Sequence, residues 1–310
     1  MNEQNKDIDL HNISEYKKSY DKKVSVIIPT FNHGHLLERC LNSVLNQSYR
    51  NLEIVIVDNN SIDNTKEVIR YFRDKIQINY HLIQNNGIIA KSRNIGIQNS
   101  KGDFIAFLDS DDWWLPDKLE ISMRYLEKGA DLVYHDLWLY GINGIPFFFN
   151  KAKTRKLDVP VKRDLLLNGN AINNSSVVLR RSIVEKVGYL SEAREIIAGE
   201  DYDYWIRISE VTEKFQKIPI CLGYYWIGGG NISSLVRYQR IFDFVYNQYN
   251  DFIQKCIGNR KPKWMGYAIL LAKLNEREVD LSEILVCYRD IGIFNLAKLL
   301  LKWIYNNFTR

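Results

Sequence analysis

Short apolar runs bounded by polar turns recur along the first third of the chain. Val24–Ile28 (VSVII), Glu53–Val57 (EIVIV) and Phe104–Leu108 (FIAFL) are almost unbroken by polar residues. Runs of this length and β-branched content read as strands buried on both faces. Ile76–Ile83 adds a further strand. Between them the apolar period changes to that of a helix. Leu36, Leu37, Cys40, Leu41, Val44 and Leu45 fall on one face of a segment over 34–46. Asp63 is placed to cap a helix that runs to about Phe72, and residues 87–99 form another. Strands alternating with helices predict βαβ units and a parallel sheet.

Beyond residue 115 the regularity weakens. Pro116–Glu127 reads as a helix, Leu132–Leu139 and Ile172–Leu179 as strands, and Glu200–Glu210 as a helix, while 141–170 reads as irregular. From about 235 onward the apolar periodicity is helical. The organisation expected is a loosely docked arm over 1–23, an α/β domain over 24–234 and a helical extension over 235–310.

Composition narrows the class. The chain has 310 residues, 46% apolar and 25% charged, which excludes a disordered chain. Four cysteines without short spacing exclude a disulfide scaffold or a CxxC zinc site and fit a reducing cytoplasm. The N-terminal segment has no apolar signal core, and no run nears the roughly 18 apolar residues of a spanning helix. The expectation is a cytoplasmic protein, free or peripheral at the inner face of the plasma membrane.

Ligands of parallel α/β sheets bind at the carboxyl ends of the strands. Here those ends read Pro29-Thr30-Phe31-Asn32, Asp58-Asn59-Asn60-Ser61 and Asp109-Ser110-Asp111-Asp112. The last is the sharpest feature, because clustered carboxylates repel one another unless something compensates them. A hard cation such as Mg2+ or Mn2+, shared with a diphosphate, would do so. The competing reading is a solvated acidic turn with Asp112 capping the next helix. A second acidic group, Glu200-Asp201-Tyr202-Asp203, opens a helix on which Asp203 and Arg207 can pair. It reads either as helix-end electrostatics or as a general base at the sheet edge. There is no GxxxxGK(S/T) loop, no GxGxxG fingerprint and no GxSxG elbow. Gly228-Gly229-Gly230 is open between a flexible loop and a lid. His33 and His35 read as surface or capping groups rather than metal ligands.

Five segments in this order carry a resemblance. VSVIIPTFN (24–32), EIVIVDNNSID (53–63), Lys91-Ser92-Arg93-Asn94-Ile95-Gly96, FIAFLDSDDWWLPDKLE (104–120) and GEDYDYWIR (199–207) together resemble the family 2 glycosyltransferases of GT-A fold, of the bacterial surface-polysaccharide type. The resemblance implies a nucleotide-sugar donor, a glycan or lipid-linked glycan acceptor, and Mn2+ or Mg2+. It implies that Pro29, Thr30, Asp58, Arg93, Asp109, Ser110 and Asp111 bind the nucleotide sugar, with Asp58 near the base. Asp111 would hold the metal as part of a DxD motif. Asp201 would be the catalytic base, and one base with in-line attack implies inversion. The second Asp often found after strand two is Asn59 here. His135, Asn174, Glu200 and Asn231 are the candidates for the acceptor side. Two other classes stand beside this reading: a nucleotidyltransferase, which would want a basic Gly-rich loop after the first strand, and a non-catalytic nucleotide-sugar or glycan-binding module.

Net charge is +5, from 42 Lys and Arg against 37 Asp and Glu. All of it resides in 235–310, which holds 12 basic and 7 acidic residues. Nucleic acid is therefore not an expected partner of the α/β domain. The tail, including a Phe294–Phe308 helix with Lys298 and Lys302, is the part expected to meet an anionic membrane surface, to pack on the domain, or to join two copies as a homodimer.

Overall fold

The computed structural model describes residues 21–141, 151–228, 235–262 and 264–265. The arm up to residue 20, Asn231, most of the Gly228–Ser233 loop and the Phe294–Phe308 helix lie outside the described residues. The strands are β1 (Val24–Thr30), β2 (Leu52–Asp58), β3 (Ile78–Leu82), β4 (Phe104–Phe107), β5 (Trp113–Trp114), β6 (Leu132–Tyr140), β7 (Lys151–Ala152), β8 (Val178–Arg180) and β9 (Phe215–Trp226). The helices are α1 (Gly34–Leu45), α2 (Thr65–Arg73), α3 (Ile89–Gln98), α4 (Lys118–Glu127), α5 (Val161–Asn168), α6 (Arg181–Val187), α7 (Glu200–Ser209) and α8 (Leu235–Ile257).

One sheet runs β3-β2-β1-β4-β8-β6-β9-β5, with β7 paired to β6. Its first half, β3 to β4, is wholly parallel, as the alternation of strands and helices predicts. The second half is mixed: β8 runs antiparallel to β4 and β6, β9 runs parallel to β6, and β5 runs antiparallel to β9. Every residue of β1 is buried. Val26 and Ile28 face a layer with Leu37, Leu41, Phe72 and Met123, from α1, α2 and α4. Ile27 faces the opposite layer, with Leu165, Trp205 and Ile206, from α5 and α7. Successive strand residues point to opposite faces, so an all-apolar strand feeds two cores. Each fully buried aliphatic side chain contributes about 1.5–3 kcal/mol, which makes this central strand a rigid base for the turns at its end.

Helix α3 lies close against β1. A Cβ on Gly96 would come within 2.4 Å of the Ile27 side chain. This close approach carries Arg93 and Asn94 of α3 into the interior. The Asn94 amide donates to the Leu190 carbonyl at 2.9 Å and to Glu192 at 2.8 Å. It also accepts from the Leu190 N–H at 2.9 Å, so α3 is tied to the segment that leads into α7.

Several expectations change. Residues 141–170, read as irregular, contain α5 and the short β7. The strand expected over Ile172–Leu179 is a 3-10 turn at Asn174–Ser176 followed by β8. The helix expected from Pro116 begins at Lys118, because the Pro116 carbonyl is taken by the Ser48 N–H at 2.9 Å. Asp112 does not cap that helix: it is buried and accepts from the Trp226 N–H at 2.9 Å. Asp63 does act at helix starts, and at two of them. It accepts from the Thr65 N–H of α2 at 3.1 Å and from the Gly34 N–H of α1 at 2.9 Å.

The first helix of the C-terminal segment belongs to the packed domain. Ile241, Phe242, Val245, Tyr249 and Ile253 of α8 are buried in the same cluster as Trp205. Among the described residues, no helix is long and apolar enough to cross a membrane.

Candidate active site

The three polar turns converge at the carboxyl edge of the parallel strands. Thr30 ends β1 with its hydroxyl buried and without a hydrogen-bond partner. Pro29 lies within β1, opposite Val57, and offers only backbone to a ligand. Asp58 ends β2 but turns inward. It is 0% exposed and accepts from the Ser61 N–H at 2.9 Å, the Ser61 hydroxyl at 2.6 Å and the Tyr80 hydroxyl at 2.8 Å. These three donors occupy most of its lone pairs, so Asp58 shapes the turn rather than presenting a carboxylate to a base. Asn59, where a second Asp is common, accepts from the Asn85 N–H at 2.8 Å and so joins the β2 turn to the loop before α3.

Arg93 departs most from its expected role. It is 3% exposed, and both guanidinium arms are committed. One donates to Asp109 at 2.8 Å and the other to Glu200 at 2.6 Å. Burial works against its charge, but Asp109 and Glu200 outweigh that and raise its pKa. Arg93 therefore bridges the acidic turn after β4 to the start of α7. It is not free to reach a base or a diphosphate. Glu200 is corrected by the same contact: it is buried as the partner of Arg93 rather than directed at an acceptor.

Asp109 is one-quarter exposed and also accepts from the Asn174 amide at 3.3 Å, while its N–H donates to the Ser175 hydroxyl at 3.1 Å. The 3-10 turn after Ile172 thus packs against the acidic turn, and Asn174 does join the site. Its amide oxygen is buried and unpartnered. Ser110 is buried and shares a 2.9 Å hydrogen bond with His33 Nδ1. His135 does not face the site. It is 0% exposed within β6, and burial pushes its pKa down to about 3.

Asp111 is a poorly compensated carboxylate. Burial and the neighbouring Asp109 push its pKa up to about 6. Among the described residues no cation forms an ion pair with it. No three His, Cys, Asp or Glu side chains among the described residues gather into a preformed cage. That donor set fits a Mg2+-type ion, which is held by one or two carboxylates and completes its shell with water and substrate phosphates.

Asp201 sits in the first turn of α7, one residue after Glu200. It accepts from the Tyr202 N–H at 2.7 Å, and the Asn170 amide lies 3.5 Å away. Burial and the Glu200 carboxylate push its pKa up to about 7, against the pull of Arg93. A carboxylate held near neutrality is suited to accept a proton at physiological pH. Asn170 and Tyr80 take part in these contacts without having been candidates, and Ser175 joins them from the run that holds the candidate Asn174.

The family model described as Glycosyl transferase family 2 matches residues 25–188, more than half of the chain. The chain belongs to glycosyl transferase family 2. An uncharacterized glycosyltransferase of Rickettsia felis is 39% identical over 127 residues, 41% of this chain and 21% of the relative. The chain spans only about a fifth of the length of the first curated relatives it matches. Among solved structures, S. aureus TarS 1–349 in complex with UDP-GlcNAc superposes with a TM-score of 0.59 at 17% identity, covering 91% of this chain and 81% of that 1–349 fragment. The mannosyltransferase PcManGT from Pyrobaculum calidifontis, in complex with GDP-Man and Mn2+, gives 0.56 at 16% identity, covering 92% and 75%. At these identities the likeness speaks for the fold alone, and that fold is GT-A. The matched span of this family 2 chain contains every candidate nucleotide residue and stops short of α7, so Asp201 rests on geometry and on the resemblance of its own segment.

Proposed function

We propose that this family 2 protein transfers a sugar, with inversion, from a UDP-sugar to a hydroxyl of a glycan or lipid-linked glycan acceptor, with a divalent metal. The observation that carries this reading is the Arg93 bridge. It brings the acidic turn after β4 and the start of α7, elements far apart in the sequence, to one guanidinium. A carboxylate for a metal-diphosphate and a near-neutral carboxylate for a proton thereby share one sheet edge. The complexes of TarS with UDP-GlcNAc and of PcManGT with GDP-Man and Mn2+ support a nucleotide-sugar donor and a divalent ion.

The chemistry follows from the residue types. A sugar hydroxyl is a weak nucleophile at neutral pH. Asp201 takes its proton as the oxygen attacks the donor's anomeric carbon from the face opposite the diphosphate. The carbon–oxygen bond to the diphosphate breaks, and its electron pair leaves with the nucleoside diphosphate. A divalent ion held by Asp111, when bound, stabilises charge on that leaving group. Thr30 and the turns after β1 and β2 hold the nucleoside, with the unpartnered Thr30 hydroxyl as the polar contact. Arg93 holds Asp109 and Glu200 in place and keeps the Asp201 carboxyl from rising further. A non-catalytic binding module has no need of a near-neutral carboxylate beside the acidic turn.

The direct test incubates the protein with a panel of UDP-, GDP-, ADP- and dTDP-sugars and Mn2+, and measures nucleotide release. Release of UDP from one donor is expected. Release of pyrophosphate would indicate a nucleotidyltransferase. Tight donor binding without release, with and without acceptors, would indicate a binding module.

A further inference from the structure

The half of the sheet opposite the nucleotide turns carries an aromatic cluster that the proposed reaction leaves unused. Trp113 of β5, Tyr140 at the end of β6, and Tyr224 and Trp226 at the end of β9 gather around Arg39 of α1. The Arg39 guanidinium lies 3.6 Å from the Trp113 ring centroid, 4.9 Å from Trp226 and 5.7 Å from Tyr140. Trp113 stacks on Tyr224 at 4.7 Å with the rings 12° apart. Tyr140 meets Trp113 edge-on at 5.1 Å and stacks on Trp226 at 5.9 Å.

Three strands thus lock their rings together around Arg39, yet the cluster is not a core. Tyr140 is 49% exposed and the adjoining Ile227 40% exposed. An interlocked aromatic surface that remains open to solvent is unusual unless it binds something. Its position says what. The sheet order sets β2 and β1, with the nucleotide turns, on one side of β4, and β6, β9 and β5 on the other. The acidic turn lies between them and is bonded directly to the cluster. Arg39 donates to the Asp111 carbonyl at 3.1 Å, the Trp226 N–H donates to Asp112 at 2.9 Å, and Trp113 follows Asp112 in sequence. A group stacked on these rings would lie beside the metal carboxylate, on the side away from the nucleoside.

We propose that Arg39, Trp113, Tyr140, Tyr224 and Trp226 form the acceptor platform, on which a pyranose ring of the acceptor glycan stacks beside Asp111. The negative faces of aromatic rings attract the polarised C–H groups of a pyranose, and tyrosine hydroxyls with an arginine supply polar contacts at the edge. The proposal rests on the glycosyl-transfer reading and names where its acceptor docks.

The test uses the full-length protein on an array of defined oligosaccharides, neutral and anionic, followed by calorimetric titration of those that bind. Titration with UDP and Mn2+ runs in parallel. Tyr140→Ala is the principal variant because its ring is half exposed, and its melting temperature verifies folding; Tyr224→Ala is the second. At least one pyranose oligosaccharide is expected to bind, and each variant should bind it about 3- to 10-fold more weakly, the scale of one lost aromatic contact. UDP affinity should be unchanged. Binding of UDP with binding of no oligosaccharide overturns the platform, and so does glycan binding that neither variant weakens. Glycan binding weakened by the variants in a protein that binds no UDP supports the platform and overturns the transfer reading.

Discussion

Replacing Arg93 with Met tests the bridge that joins the two acidic segments. The side chain of Arg93 is 4% exposed and that of Glu200 6%, so both charges have left water. Breaking such a buried pair by removing one partner costs about 3–5 kcal/mol, because the other charge is left uncompensated. Asp109 is one-quarter exposed, so water recovers much of its loss and it adds little. For a domain of this size about 2–4 °C of melting temperature corresponds to each kcal/mol, so R93M should melt about 6–20 °C below wild type at pH 7. The double variant Arg93→Met with Glu200→Gln removes both charges and should recover most of that loss. There is a functional consequence as well. Arg93 lowers the Asp201 pKa, so its loss should push that carboxyl above about 7 and move the basic requirement for turnover to higher pH. Differential scanning calorimetry of the three proteins, with a pH series of UDP release, measures both effects. An R93M protein melting within about 2 °C of wild type, or a double variant no better than R93M, would refute the bridge.

Three further outcomes follow. Turnover should fall as pH drops below about 7, because Asp201 must be ionised to accept the proton; a pH–rate profile flat from 5.5 to 8 would contradict this. Asp111→Asn should weaken UDP binding in Mn2+, and EDTA should weaken wild type to a similar affinity while leaving D111N unchanged; equal effects of EDTA on both would place the metal elsewhere. Lys118 is fully buried, its ammonium nitrogen has no hydrogen-bond partner and sits 3.7 Å from the Trp114 ring centroid, and burial pushes its pKa well down. The folded state therefore binds that proton less tightly than the unfolded chain, and stability from this site rises with pH toward the ordinary lysine range. Lys118→Met should raise the melting temperature more at pH 6 than at pH 9, and a uniform loss across that range would contradict the neutral lysine.

How much could be read from sequence varied with the physics of each element. Strands β1, β2 and β4 are buried on both faces, so their apolar runs are unmistakable. Strand β9 is half-buried and interrupted by Lys217 and Pro219, and helix α5 is short with a charged start, so neither has a distinctive period. Asp111 and Asp201 stand out in the sequence because clustered acids at strand and helix ends are costly without a purpose. The partners of Arg93 do not, since Asp109 and Glu200 lie 16 and 107 residues away and only the fold brings them together. His135 is polar in an apolar run, but it lies inside β6 and is fully buried. Asp58 misled for a related reason, because a turn aspartate can satisfy its own loop. The aromatic cluster is dispersed over α1, β5, β6 and β9 and has no signature in the chain.

The central claim is that Asp201 is the base of a nucleotide-sugar transferase. It is tested most directly by comparing wild type with Asp201→Asn, measuring UDP affinity and UDP release from the preferred UDP-sugar in the same preparations. The account predicts equal UDP affinity and a loss of release of about 100-fold or more in D201N, the scale of a removed general base. Near-wild-type release by D201N, with UDP affinity intact, would contradict it.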